Sequence, residues 1–276
     1  MINRISILII ILFQTAVLSA QNHLEMQKEY AESLFAGEKY FDAVTEYKRL
    51  MFFDENKIYS AEAGLKIAYC YKSGGKFDDA IAVLSKMKEN QQINKTDIEI
   101  EIIRLNILRG TYFRAIGLIE KLEREVPEKQ SELNYWKGWS YMVADEWQKA
   151  ADAFGNSAEK GTEILKNLCI SVSEEKYSLS FARTISYILP GAGHFYTGYY
   201  IEGIISLGWN VLWGYDVVNA IKADRIFDAV MVGNFLWLRF YTGGSQEAVK
   251  LAEIENRKII NEAYKYLSIQ FEGKQP

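Results

Sequence analysis

Residues 61–87 read AEAGLKIAYCYKSGGKFDDAIAVLSKM, and this stretch decides the fold. Ile67, Ala68 and Tyr71 mark one apolar helical face, Gly75 marks a turn, and Phe77, Ala80 and Leu84 mark a second face. The second half is one instance of a longer pattern: an aromatic residue, an alanine three positions on, and a large apolar residue four positions after that. It recurs as Tyr40/Ala43/Tyr47, Tyr112/Ala115/Ile119 and Trp147/Ala150/Phe154. Subtracting residue numbers separates Ala43, Ala80, Ala115 and Ala150 by 37, 35 and 35. Gly138 and Tyr141 repeat the first face, and Gly37, Gly75, Gly110 and Asp145 lie at or beside the turns.

The period has a physical cause. A small alanine lets the second helix of a pair approach the first closely, and the aromatic beside the turn fills the space left over. One pair cannot bury its own apolar face, so several must stack. In this register the chain resembles the tetratricopeptide-repeat family over residues 24–160, through about four units. The resemblance implies an all-α solenoid of helical hairpins with a concave surface lined by the first helix of each pair. Carried over by register, that lining is Phe35, Leu65, Tyr69, Arg104, Ile107, Tyr135, Trp139 and Met142. It is more aromatic and apolar than charged. The Lys/Asn/Arg set by which some family members clamp a terminal carboxylate is missing from the matching positions. Two occupants suit such a lining: a segment of another protein, or this chain's own C-terminal segment.

Bulk properties exclude several classes. With 49% hydrophobic and 25% charged residues and only 3 Pro in 276, the chain is ordered and long enough for two cores. A net charge of -4 offers no cationic field for nucleic acid. Arg4, the apolar run Ile5–Phe13 and the small residues Ser19 and Ala20 read as a signal peptide over residues 1–20, with an uncleaved anchor as the alternative. Export to the periplasm or cell envelope follows as the expectation. Cys70 and Cys169 read as core residues, and they could pair in an oxidising compartment only if the fold brought them together. No ligand set for a metal and no cofactor motif is legible.

After a capping helix or linker over 161–178, the composition turns apolar. Residues 179–245 hold two stretches, Ile201–Ile221 and Ile226–Tyr241, each near the length of a membrane span but interrupted by Glu202, Asn210, Asp216, Asn219, Asp228, Asn234 and Arg239. These predict a hydrophobic, membrane-associated helical hairpin that pairs its polar groups, lies partly in the interface, or packs on the repeats. Residues 246–276 read as an amphipathic helix and tail. Ahead of the hairpin stands Pro190-Gly191-Ala-Gly193-His194-Phe-Tyr196-Thr-Gly198, followed at a distance by Trp213-Gly-Tyr-Asp216. The segment resembles small two-transmembrane-helix domains with a G-x-G-x-H-x-F-Y-x-G motif, and the Leu-Pro-Gly-x-Gly-x-x-Tyr-x-Gly domains appended to bacterial repeat proteins. That resemblance implies membrane association and no known reaction.

These readings converge on a non-catalytic scaffold that binds another protein and holds it at a membrane of the cell envelope. Two alternatives stay open. One is a membrane-associated enzyme using His194 and Asp216. The other is a carrier of lipid or another apolar ligand.

Overall fold

The computed structural model describes residues 23–89 and 93–276, and the leader expected over residues 1–20 lies outside them. The described residues are helical, with no strand among them. They divide into two compact units, one ending at Glu163 and including Lys274–Pro276, the other Ile164–Gly273.

The first unit contains α1 (23–36), α2 (Tyr40–Phe53), α3 (Ser60–Ser73), α4 (Phe77–Met87), α5 (Lys95–Leu108), α6 (Tyr112–Glu125), α7 (Gln130–Val143) and α8 (Trp147–Gly155). From α2 to α8 each helix packs on the next, the nearest-neighbour pattern of a solenoid. The even-numbered helices begin at the four aromatic residues of the sequence pattern, and Ala43, Ala80, Ala115 and Ala150 are all 0% exposed. Where the odd-numbered helices meet them, glycine does the same work: a Cβ on Gly138 would meet the Phe154 ring at 2.6 Å, and one on Gly64 would meet Met87 at 2.8 Å.

The turns inside the pairs are one structure repeated. A residue with positive φ stands two positions before each aromatic: Glu38 (58°), Gly75 (71°), Gly110 (77°) and Asp145 (62°). At the first turn Gly37 lies beside the left-handed residue, which is Glu38. The following N–H reaches back five residues, Lys39 to Leu34 O, Lys76 to Tyr71 O, Thr111 to Asn106 O and Glu146 to Tyr141 O, at 2.7–2.9 Å. This is the Schellman closure, which satisfies the last carbonyls of the first helix. The same residue's carbonyl then accepts from the alanine N–H, at 2.9–3.2 Å, and starts the second helix.

Pairs are tied together by Glu99. Its carboxylate, 3% exposed on α5, takes Lys88 Nζ at 3.0 Å and Lys121 Nζ at 3.4 Å. Burial pushes that carboxyl up, and the hydrogen bond and charge of Lys88 with the charge of Lys121 more than reverse it, holding the group below the usual carboxylate range.

The second unit takes up the rest of α9 (Thr162–Glu175), then α10 (Leu179–Ile188), the short α11 (Ala192–Tyr196), α12 (Tyr200–Lys222), α13 (Ile226–Val232), a π turn at Gly233–Trp237 and α14 (Leu238–Gln270). Gly244 opposite Ser206, Gly214 opposite Trp237 and Gly233 opposite Val217 set α12 antiparallel to the chain that follows it. Gly243 and Gly244 do not end the second arm, which continues without a break through residue 245 into α14. The expectation of membrane-spanning helices needs correction. Among the described residues no helix is long and apolar enough to cross a membrane. Asn210, Asp216 and Asn219 dilute α12, and the second stretch is divided between α13, the π turn and the start of α14. Nor do the arms pair their asparagines with each other: Asn210 donates to Ser206 O at 2.8 Å and Asn234 to Val230 O at 3.0 Å, each within its own helix.

Candidate functional site

In the first unit, successive odd helices bring their faces to a groove of about 360 Å³. Leu65 and Tyr69 come from α3, Asp97, Glu101 and Arg104 from α5, Glu132 and Trp136 from α7, and Lys274 closes one side. Spacing of three or four along each helix puts these residues on one face. Tyr69 and Arg104 are one repeat apart, as are Glu101 and Trp136, and Asp97 and Glu132. The last two pairs escaped the sequence reading because it stepped along the aromatic register only. Moving three places back from Arg104 and Trp139 finds Glu101 and Trp136.

The remaining expected lining residues lie elsewhere. Ile107 and Met142 are buried in the core and offer no surface, a correction to the expected lining: they fall one turn beyond Arg104 and Trp139 on their helices. Phe35 packs with the α1–α3 core, its ring 5.8 Å from that of Tyr40 and beneath Lys66 Nζ at 5.4 Å. Tyr135 and Trp139 are buried among the rings of Trp136 and Phe154.

The groove is electrostatically mixed. Glu101 pairs with Arg104 and lies 3.9 Å from Lys72 Nζ. Burial first, and then the Arg104 charge, lower the Lys72 ammonium; burial and Glu101 raise the Tyr69 hydroxyl. Lys129 neutralises the rim, 2.8 Å from Asp97 and 3.4 Å from Glu132. The Arg104 guanidinium stacks over the Trp136 ring at 4.9 Å. Two donors here, Arg104 Nε and Trp136 Nε1, are buried and make no hydrogen bond.

The chain's own segment Lys274–Pro276 lies in this unit. The Tyr135 hydroxyl donates to Lys274 O, Arg104 Nη2 donates to Gln275 O at 2.9 Å, and Lys274 Nζ lies 3.4 Å from Glu159. Of the two occupants that the lining suits, the chain's own segment is thus present.

In the second unit the Pro-Gly-Ala-Gly-His turn is a packing device. Pro190 follows α10, and Gly191 (φ 91°) presses its backbone against Gly203 of α12, where a Cβ would collide with the Gly203 carbonyl. A Cβ on Gly193 would meet Ser186 Oγ, and Ala248 at 2.7 Å. The Gly193 N–H donates to Ser186 Oγ at 3.1 Å, and Ser186 Oγ donates to Ala182 O at 2.8 Å. Gly198 (φ 84°) has open space around it and closes another Schellman turn, Tyr199 N–H to His194 O at 2.9 Å. The Tyr196 hydroxyl accepts from Ser178 N–H at 3.0 Å.

His194 is 0% exposed and neither ring nitrogen makes a hydrogen bond, with Glu247 Oε2 3.6 Å from Nε2. The pairing of His194 with Asp216 is corrected. Asp216 stands thirteen residues beyond Gly203 on α12, about 20 Å along the helix axis. Glu247 is the carboxylate beside the ring instead. Glu247 also lines a cavity of about 470 Å³ with Glu202, Ser206, Trp209, Arg239 and Phe240. Among the described residues no group of three His, Cys, Asp or Glu side chains is placed to hold a metal ion. The thiols of Cys70 and Cys169 are free and buried, and burial pushes them up to about 11 and about 12.

Residues 62–91 match the model of the tetratricopeptide repeat, a stretch that contains most of α3 and all of α4. No curated protein and no solved structure matches the chain. Repeats of this kind bind other proteins and are typically not catalytic. The first unit is accordingly an array of helix pairs with a tetratricopeptide-like repeat at residues 62–91, the class of scaffold that serves protein–protein interaction.

Proposed function

We propose that this protein is a non-catalytic scaffold of the cell envelope, exported by its leader, which binds an extended segment of another protein in the repeat groove and rests on a membrane through α12 and α13. The observation that carries the membrane half is an uncovered apolar stripe. Ile201, Ile204, Val211 and Tyr215 recur along α12 at spacings that keep them on one side, and Ile201 is 71% exposed. Phe227 on α13, at 74%, and Phe235 in the π turn add to it. A long exposed apolar stripe ordinarily marks a surface that meets lipid or another protein, and Lys222 and Arg225 at the link between the arms suit anionic headgroups.

Co-sedimentation with vesicles of phosphatidylethanolamine and phosphatidylglycerol tests this reading. The unaltered chain pellets with the vesicles, and a variant carrying Ile201→Glu, Ile204→Glu and Val211→Glu loses at least ten-fold in partition. Equal partition of the two chains, or none by either, sinks the membrane half. The protein-binding half is tested by photo-crosslinking from Tyr69 in cells. A discrete adduct with another protein supports it, and reaction with lipid or solvent alone does not.

The cavity beside Glu247 favours a second reading as a carrier of an amphipathic small molecule. Trp209 and Phe240 stack there at 5.3 Å and Arg239 adds a cation. Gentle ionisation mass spectrometry of the purified chain distinguishes the two, because a carrier retains its ligand.

A further inference from the structure

The groove of the first unit is already held by Lys274–Pro276, and held through main-chain atoms. Tyr135 and Arg104 each donate to a backbone carbonyl, of Lys274 and of Gln275. A residue that precedes proline is driven to an extended conformation, which leaves the carbonyl of Gln275, ahead of Pro276, to accept from Arg104. Such contacts read the path of a chain and not its side chains. Lys274 adds a side-chain contact with Glu159, a solvent-screened pair.

The fit is incomplete. About 360 Å³ of the groove stays open between Leu65 and Lys274, and the buried Arg104 Nε and Trp136 Nε1 lack an acceptor. Buried donors without acceptors are costly. A longer extended segment, laid across α3, α5 and α7, would bring further carbonyls to the same groove.

We infer that Lys274–Pro276 is an internal competitor: it occupies the groove in the manner of an extended peptide, and a segment of another protein binds by displacing it. The inference rests on the scaffold reading above and adds its regulation. A tethered competitor acts at an effective concentration in the millimolar range, so partners that bind weakly are refused and only a segment using the spare donors gains access.

The test uses a fluorescein-labelled synthetic peptide with the sequence of Glu272–Pro276, followed by fluorescence anisotropy. Expected is binding at least ten-fold tighter to a chain ended at Gly273 than to the full chain. In the chain ended at Gly273, Arg104→Ala weakens the peptide at least ten-fold and Tyr135→Phe several-fold. Because shortening could disturb folding, Lys274→Glu in the full chain is the second variant. It sets a like charge against Glu159, leaves Arg104 and Tyr135 in place, and tightens peptide binding several-fold. Equal affinity for the full and shortened chains overturns the competition while leaving the scaffold reading intact. Failure of the peptide to bind either chain overturns the carbonyl-reading groove itself. A silent crosslinking experiment removes the scaffold reading and with it displacement by another protein, while a positive peptide result beside it keeps Lys274–Pro276 as the groove's own occupant.

Discussion

At the residue scale, backbone geometry and a buried charge each set the cost of a substitution. Gly191 and Gly198 share a left-handed backbone but differ in surroundings. Gly198→Ala meets only the conformational cost, about 1–3 kcal/mol. Gly191→Ala adds a collision with the Gly203 carbonyl, a backbone atom that cannot turn aside, and is expected to destabilise more. Urea melts of the two variants give the order, and a Gly191→Ala chain as stable as Gly198→Ala would contradict the packing account. Glu99 gives a pH-dependent counterpart. Its carboxyl is held below the unfolded value of about 4.3, so its contribution is fully present above that pH and fades as pH falls through the lower folded value. Glu99→Gln should cost about 1–3 kcal/mol at pH 7. The variant's stability should also decline less between pH 5 and pH 3 than that of the unaltered chain, as read from denaturant midpoints.

At the element scale, the same three-residue turn recurs wherever two helices must meet closely. In the second unit, Asp224 (φ 55°) and the Arg225 N–H to Ala220 O bond repeat what Gly75 and Lys76 do in the first. Positive φ disfavours a side chain by about 1–2 kcal/mol. Glu38→Gly should therefore stabilise the first pair by about 1 kcal/mol. Asp145→Gly should gain less, because Asp145 Oδ1 accepts from Trp147 Nε1 at 2.6 Å. Thermal unfolding of both variants checks the difference. These turns also show why the repeat half was legible. Glycine, aromatic and alanine at fixed offsets each answer a local demand, so Phe77 and Ala80 could be placed without knowing their neighbours. The groove was legible only in part, since Tyr69 and Arg104 lie on the register that the aromatic pattern marks, whereas Glu101 and Trp136 lie on a parallel register three residues back that carries no such mark. Glu247 beside His194 was not legible at all: 53 residues separate them by subtraction, and only the packing of α11 on α14 brings them together.

At the scale of the whole molecule, each unit carries one buried thiol, Cys70 in the first and Cys169 in the second. With thiols pushed up to about 11 and about 12, neither should react with maleimide at pH 7 in the native chain. Labelling along a urea gradient, read by peptide mass, should then report the opening of each unit separately, and rapid labelling without urea would refute the burial of that thiol. The recurring turn has a further consequence. Six times among the described residues, a left-handed residue is followed five positions later by the small residue that lets two helices touch: Ala43, Ala80, Ala115, Ala150, Gly203 and Ala229. One inserted or deleted codon between them would rotate that contact by about 100° around the helix axis, carrying a bulky neighbour into the seam. Drift of this sequence over evolutionary time is therefore constrained more in phase than in content, with insertions and deletions confined to the stretches outside those five-residue intervals.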